Sequence, residues 1–281
     1  MSRAFAFLVL AGCVVAPPPV DETTFWLETC ARHGFSPIET AMATGIEVPD
    51  IARRGVKAGP PAPFTILPYP GGRHPRIGFL EGAVDPHRDT KFSLFLPGGG
   101  YAVIDFPEAI WADGELQYLS HTHIPTVWDK KGIRLSRMDW IRRPDGGLDA
   151  RRVLPDGLEF TARVSHAARG VDLEMRLRNG GDLIRKGLRA QVCIMLKGAP
   201  GFKAQTKDNK RYLPGAVCAA RSEDGTRWLL VRFERGKTWD NPPVPCIHSD
   251  PSFPDLEPGA ESVARGRVWY SEGAEPPREG P

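Results

Sequence analysis

The side chains best suited to acid–base work gather in two short runs. His121-Thr122-His123-Ile124-Pro125 closes one strand-like stretch. In extended chain, positions i and i+2 share a face, so both imidazoles can enter one pocket. Neutral imidazole is a general base near neutral pH and the commonest metal ligand. Two histidines do not complete a metal site, which needs a third and fourth ligand. The plainer reading is of loop histidines satisfied by hydrogen bonds. The second run is Trp239-Asp240-Asn241-Pro242-Pro243, followed by His248-Ser249-Asp250-Pro251. Its prolines stiffen it, and an aromatic face beside amides and carboxylates suits the C–H faces and hydroxyls of a sugar. His248, Ser249 and an aspartate also have the makings of a hydrolase triad, but no Gly-x-Ser-x-Gly surrounds Ser249.

Two further clusters are candidates for binding. Arg73-His74-Pro75-Arg76 and the group Glu81, Asp85, His87, Arg88 and Asp89 flank the apolar run 77–80. Charge of both signs at strand ends fits an anionic or polyhydroxyl ligand, or equally a surface ion-pair network of little energetic weight. Thr206-Lys207-Asp208-Asn209-Lys210 lies just past Lys197 and fits hydroxyl recognition or a solvated loop tip. The reading that unites these runs takes His121, His123, His248 and Asp250 as catalytic, converging near Lys197 at one end of a sheet. Arg73, His74, Arg76, Glu81, Gln191, Lys197, Asp208, Asn209, Trp239 and Asn241 then bind substrate. No metal and no cofactor is expected, and the absence of a Cys-x-x-Cys spacing argues against a structural zinc site.

Residues 158–197 carry the elements that must hold such a site. Leu158, Phe160, Ala162 and Val164 alternate with polar residues, as do Val171, Leu173, Met175 and Leu177, so each segment has one apolar face. Leu188, Ala190, Val192, Ile194 and Leu196 continue the pattern, but the opposite face holds Arg189, Gln191, Cys193, Met195 and Lys197. Cys and Met have little use on a solvated face. The third segment therefore reads as a central strand whose second face is covered or lines a cleft, and the three segments as adjacent antiparallel strands. Elsewhere, 21–33 reads as a short helix stopped by Gly34, and 36–63 as an irregular lead-in. Short strands then recur at 64–69, 76–80, 91–96, 101–106, 115–120, 124–128 and 133–141, and later at 216–220, 228–234 and 262–270. Two long connections, 198–214 and 238–259, interrupt them and are marked as functional. The pattern predicts an all-β chain: one large antiparallel β-sandwich over 64–273, with a helix and lead-in over 13–63 and a tail over 274–281.

The 281 residues include 37 basic and 34 acidic side chains, nearly balanced, and no basic run recurs with interleaved aromatics, which argues against a nucleic-acid partner. Met1-Ser2-Arg3, an apolar run over 4–10 and Leu10-Ala11-Gly12-Cys13 fit a lipoprotein signal over 1–12 with Cys13 as the lipidated residue. A misplaced start or a buried strand would give the same pattern. The apolar stretch is too short to span a bilayer, so contact with membrane is expected through the lipid alone, in an exported protein of the bacterial envelope or periplasm. Cys30, Cys193, Cys218 and Cys246 remain, enough for two disulfides in three connectivities.

The runs from Arg73 to Gly82, His121 to Trp128 and His248 to Asp255 resemble signatures of exported bacterial β-sandwich proteins. The architecture is similar to the galactose-mutarotase-like supersandwiches. That resemblance implies carbohydrate bound or processed on the face of a large antiparallel sheet, with a His and a carboxylate as acid and base. No motif residue carries over. The functional expectation is thus an envelope protein doing acid/base chemistry on a sugar, as an epimerase, lyase or glycosidase. Its competitor is a non-catalytic carbohydrate-binding or structural lipoprotein. Intact-mass analysis of membrane-extracted protein should find a di- or triacylated Cys13 at the N-terminus; residues 1–12 still attached would refute it.

Overall fold

The computed structural model describes residues 21–73, 88–120, 124–204, 206–241 and 244–277. Helices α1 (Glu22–Arg32), α2 (Pro37–Thr44) and α3 (Val48–Arg54) precede strands β1 (Ile66–Pro68), β2 (Lys91–Phe95), β3 (Tyr101–Ala112) and β4 (Glu115–Leu119). After a short helix, α4 (Val127–Lys130), come β5 (Ile141–Arg142), β6 (Leu148–Val153), β7 (Leu158–Ala167), β8 (Gly170–Asn179) and β9 (Arg189–Met195). Then follow β10 (Lys210–Leu213), β11 (Val217–Arg221), β12 (Arg227–Phe233), β13 (Gly236–Trp239), β14 (Cys246–Pro251) and β15 (Glu261–Glu272). Two antiparallel sheets pack as a sandwich. One has the order β1-β2-β3-β9-β14-β13 with β4 also paired to β3; the other runs β10-β11-β12-β15-β8-β7-β6-β5.

The main core lies between the sheets. Phe92, Ile104, Val192, Ile194 and Ile247 from the first meet Phe160, Val164, Leu173, Met175 and Val231 from the second. Period-two alternation thus identified the core faces of β7, β8 and β9 correctly. It erred on their company. β7 and β8 form a hairpin, with Leu173 opposite Val164, but β9 crosses to the other sheet and lies between β3 and β14. Alternation reports which side chains are buried, not which sheet buries them. The inference that β9 is central and covered on both faces holds: Val192, Cys193, Ile194 and Met195 are all buried.

Other expectations need correcting. The lead-in is helical: Ser36 caps α2 in a reciprocal box with Glu39, Pro37 opens it, and Gly45 at φ 74° closes it. The strand expected at 124–128 is replaced by α4, which Thr126 and Asp129 cap. Of the strand expected at 133–141 only Ile141 is extended, as the first residue of β5, and β6 was not foreseen. The strand expected at 76–80 lies outside the described residues. Each long connection holds a strand, β10 in the first and β14 in the second. None of Cys30, Cys193, Cys218 and Cys246 is joined in a disulfide.

The first sheet buries its outer face as well. α1 and α2 cover its β1–β3 side, and Cys30, Phe35 and Ala43 pack on Leu67, Tyr69, Phe95, Tyr101 and Val103 in a second core that runs on to Cys193, Met195 and Cys246. Arg73 and Glu39 form a buried ion pair with Arg73 lying 4.1 Å over the Phe35 ring, and Arg88 lies 3.7 Å over Trp26. His33 sits within this layer. Its Nδ1–H donates to the Thr29 carbonyl at 2.7 Å, and its Nε2 accepts the Ser93 hydroxyl at 2.7 Å. Both bonds use the neutral ring, and burial pushes its pKa down to about 3. Because the folded value lies below the unfolded one, this contribution is complete above pH ~6.5 and is lost as pH falls toward 3. Denaturant melts at pH 7 and pH 4 should show an acid loss on the order of 3 kcal/mol in the wild type, much reduced in His33→Gln. Equal acid losses in the two proteins would refute it.

Candidate functional site

Register brings chemistry-bearing residues into one row on the outer face of the first sheet. Lys91 on β2 is opposite Asp105 on β3, and Asp105 is opposite Cys193 on β9. Cys193 is opposite His248 on β14, which is opposite Trp239 on β13. Directly paired residues of antiparallel strands point the same way, so this row crosses five strands on one face. Lys91, Asp105, Cys193 and His248 have no exposed surface. The Lys91 Nζ lies 3.6 Å from Asp105 and donates to the Ser120 carbonyl at 2.8 Å. Past Asp105 the pairing of β3 with β9 shifts register before Ala109. Within that irregularity Glu108 is buried and accepts the Gln191 amide at 2.8 Å.

The His248 end is the most organised. Cys246, His248 and Asp250 alternate on β14 with Ile247 and Ser249, so the three point to one face. The Cys246 Sγ lies 3.4 Å from His248 Nε2, and His248 Nδ1 lies 3.6 Å from Asp250 Oδ1. Asp250 also accepts the Val192 backbone N–H at 2.9 Å and the Trp239 indole N–H at 2.6 Å. Trp239 stacks on the imidazole, 3.7 Å between centroids and 18° from parallel. The neighbouring Cys193 thiol, bonding to Cys246 against the opposing effect of burial and with help from His248, brings the Cys246 pKa down to about 5. Burial works against a charged His248, yet Asp250 and Cys246 together raise it to about 9. Each group thus holds the other's shift, the Cys246 thiol more acidic and the His248 imidazole more basic than in water.

The rim is more open. The Tyr212 hydroxyl donates to Asp240, tying β10 to the end of β13, and Tyr212 is 53% exposed. Trp239, Asp240 and Asn241 are half-buried. The two long connections therefore touch through the Tyr212–Asp240 bond. Ser249 is no nucleophile there. It points to the opposite face, where its Oγ accepts from the Phe233 N–H at 2.9 Å and donates to the Ala216 carbonyl at 2.9 Å.

Of the residues singled out from sequence, His248, Asp250, Trp239 and Asn241 come together, with Gln191 held by Glu108 farther along β9. Lys197 lies four residues beyond Cys193 along the chain, past the Met195–Cys246 pair. Arg73 is committed to Glu39 and to the Gly34 carbonyl at 3.0 Å within the helical layer. Asn209 accepts from Lys210 Nζ at 2.7 Å, and the Asp208 carbonyl from Arg211 at 2.8 Å, both within their own loop. His74, Arg76, Glu81, His121, His123 and Cys13 lie outside the described residues. Lys91, Asp105, Glu108 and Cys246 were missed. The signal was there in Lys91 and Asp105, charges set among the apolar residues of β2 and β3. As to metals, Cys193, Cys246 and His248 place their ligand atoms within 4.8 Å of one another. A test of local spacing overlooks them because they come from two strands.

No protein-family profile matches the chain, and no curated protein sequence matches it. Among solved structures it is similar to a human-microbiome protein provisionally named kojibiose phosphorylase, at 10% identity and TM-score 0.38, covering 62% of this chain and 23% of that one. It is similar to the Slr1438 protein of Synechocystis sp. PCC 6803 at 11% identity and TM-score 0.36, covering 65% and 87%. It is also similar to a heparan sulfate lyase HepC mutant from Pedobacter heparinus at 9% identity and TM-score 0.38, covering 92% and 43%. The chain thus spans less than half of the first and third of these proteins. None of the likenesses is close enough to carry an activity to this chain.

Asp250 links β14 to both neighbours, so its loss should be felt in stability. Asp250→Ala leaves the Val192 and Trp239 donors without their acceptor and should cost about 2–4 kcal/mol, while Asp250→Asn should cost less. Urea melts followed by indole fluorescence read both; an unchanged midpoint in Asp250→Ala would refute the bridging role.

Proposed function

We propose that this is a carbohydrate-active protein of the cell envelope, with a saccharide seated on the rim at Trp239 and acid/base chemistry residing at the His248–Asp250 pair beneath it. In this reading a lipid on Cys13 holds the protein at the membrane. The observation that carries the reading is the position of Trp239. One indole face is taken by His248 and the side chain is half-buried; Asp240, which accepts the Tyr212 hydroxyl, and half-buried Asn241 follow it in the chain. An aromatic platform flanked by carboxylate, amide and phenol matches the amphipathic surface of a pyranose. His248 and Asp250 lie beneath it, where low dielectric strengthens their mutual interaction.

Screening the full chain against neutral and acidic polysaccharides, with binding and turnover both recorded, tests this. Trp239→Ala should weaken saccharide binding about tenfold, roughly 1.4 kcal/mol. His248→Gln should lower turnover by ~10²–10⁴, the usual worth of acid/base catalysis. Binding without turnover would favour the non-catalytic competitor. A wild-type protein that neither binds nor alters any saccharide in the panel would overturn both.

A further inference from the structure

We propose that Cys193, Cys246 and His248 form a binding site for a zinc-class divalent ion. Their ligand atoms lie within 4.8 Å of one another, and among the described residues they are the one such group of three. All three side chains are fully buried. With sulfur at ~2.3 Å and nitrogen at ~2.0 Å from zinc, the edges of a tetrahedral site measure about 3.5–3.8 Å. Cys246 Sγ and His248 Nε2 are already 3.4 Å apart, so an ion needs only small side-chain rotations to be held.

The surroundings are those of a ligand set as well. A histidine that binds metal through one ring nitrogen usually gives the other to a carboxylate, which sets its tautomer and orientation. His248 Nδ1 faces Asp250 Oδ1 at 3.6 Å, and Asp250 is itself fixed by Val192 and Trp239. The Trp239 stack holds the ring plane. The ligands sit on paired strands β9 and β14, which are stiffer supports than loops. Two thiolates and an imidazole select a soft or borderline ion and disfavour magnesium or calcium. Three protein ligands leave a fourth position for water. That water, rather than the imidazole, would then be the proton-carrying group beneath Trp239. The inference refines where the acid/base chemistry resides, but it stands without the carbohydrate reading.

The test uses reduced, full-length protein freed of metal by chelator and titrated with Co(II), then Zn(II). One equivalent of Co(II) should produce a thiolate-to-cobalt charge-transfer band that Zn(II) displaces, and Zn(II) should raise the melting temperature. Cys193→Ser and Cys246→Ser should each abolish the band and weaken binding at least ~10–100-fold, since losing even an outer hydrogen-bond partner costs that much. Cys30→Ser, which removes an equally buried thiol elsewhere, should keep it. Absence of the band in the wild type, or its survival in Cys193→Ser and Cys246→Ser, would overturn the proposal. A protein that binds zinc but no saccharide would keep this site and lose the carbohydrate reading.

Discussion

Two opposite charges without exposed surface, Lys91 and Asp105, set the terms for the first sheet. Removing a charge from water costs several kcal/mol, and the interior repays it only where partners are close and hydrogen bonds satisfied. The Asp105 carboxylate at 3.6 Å and the Ser120 carbonyl at 2.8 Å supply that for Lys91. Losing either partner strands the other in low dielectric, at a cost of about 3–5 kcal/mol. Such a pair restrains both strands and ties β4, through Ser120, to the same row. It also requires that the sheet's outer face be roofed.

The roof is the helical layer, and its chemistry follows from what it covers. Helices α1 and α2 bring Cys30, Phe35 and Ala43 onto an outer face that is apolar near β1 and polar toward β14. The buried His33 stays neutral because its two hydrogen bonds use a donor and an acceptor, which only the neutral ring provides. Arg73 and Glu39 close the layer as a pair. The sandwich therefore has two cores of different character. The inner is mainly apolar packing, while the outer holds buried charge and imidazole and is specified by hydrogen-bond matching.

This division explains where reactive groups can survive. On a solvated sheet face, Cys246 and His248 would have ordinary acidity. Buried, with Asp250 on one side and Cys193 on the other, they shift in opposite directions and lock as a pair. Trp239, half-buried, is stacked on the His248 ring and so joins this buried pair to the edge of the sheet.

The sequence alone determined the class of fold and the buried faces of β7, β8 and β9, because alternation with period two is a local property of extended chain. It also marked β9 as covered on both sides, through Cys193 and Met195, and it picked out His248, Asp250, Trp239 and Asn241. It misjudged 238–259 as loop because prolines hide the strand, and because only Ile247 of β14 belongs to the main apolar core. Only the tertiary structure decided that β9 leaves the β7–β8 hairpin for the opposite sheet and pairs with both β3 and β14. Lys91, Asp105, Cys193, His248 and Trp239 are far apart in sequence, and no local signal encodes their row. They meet because strand pairing aligns residues by register, and register depends on which strands become neighbours.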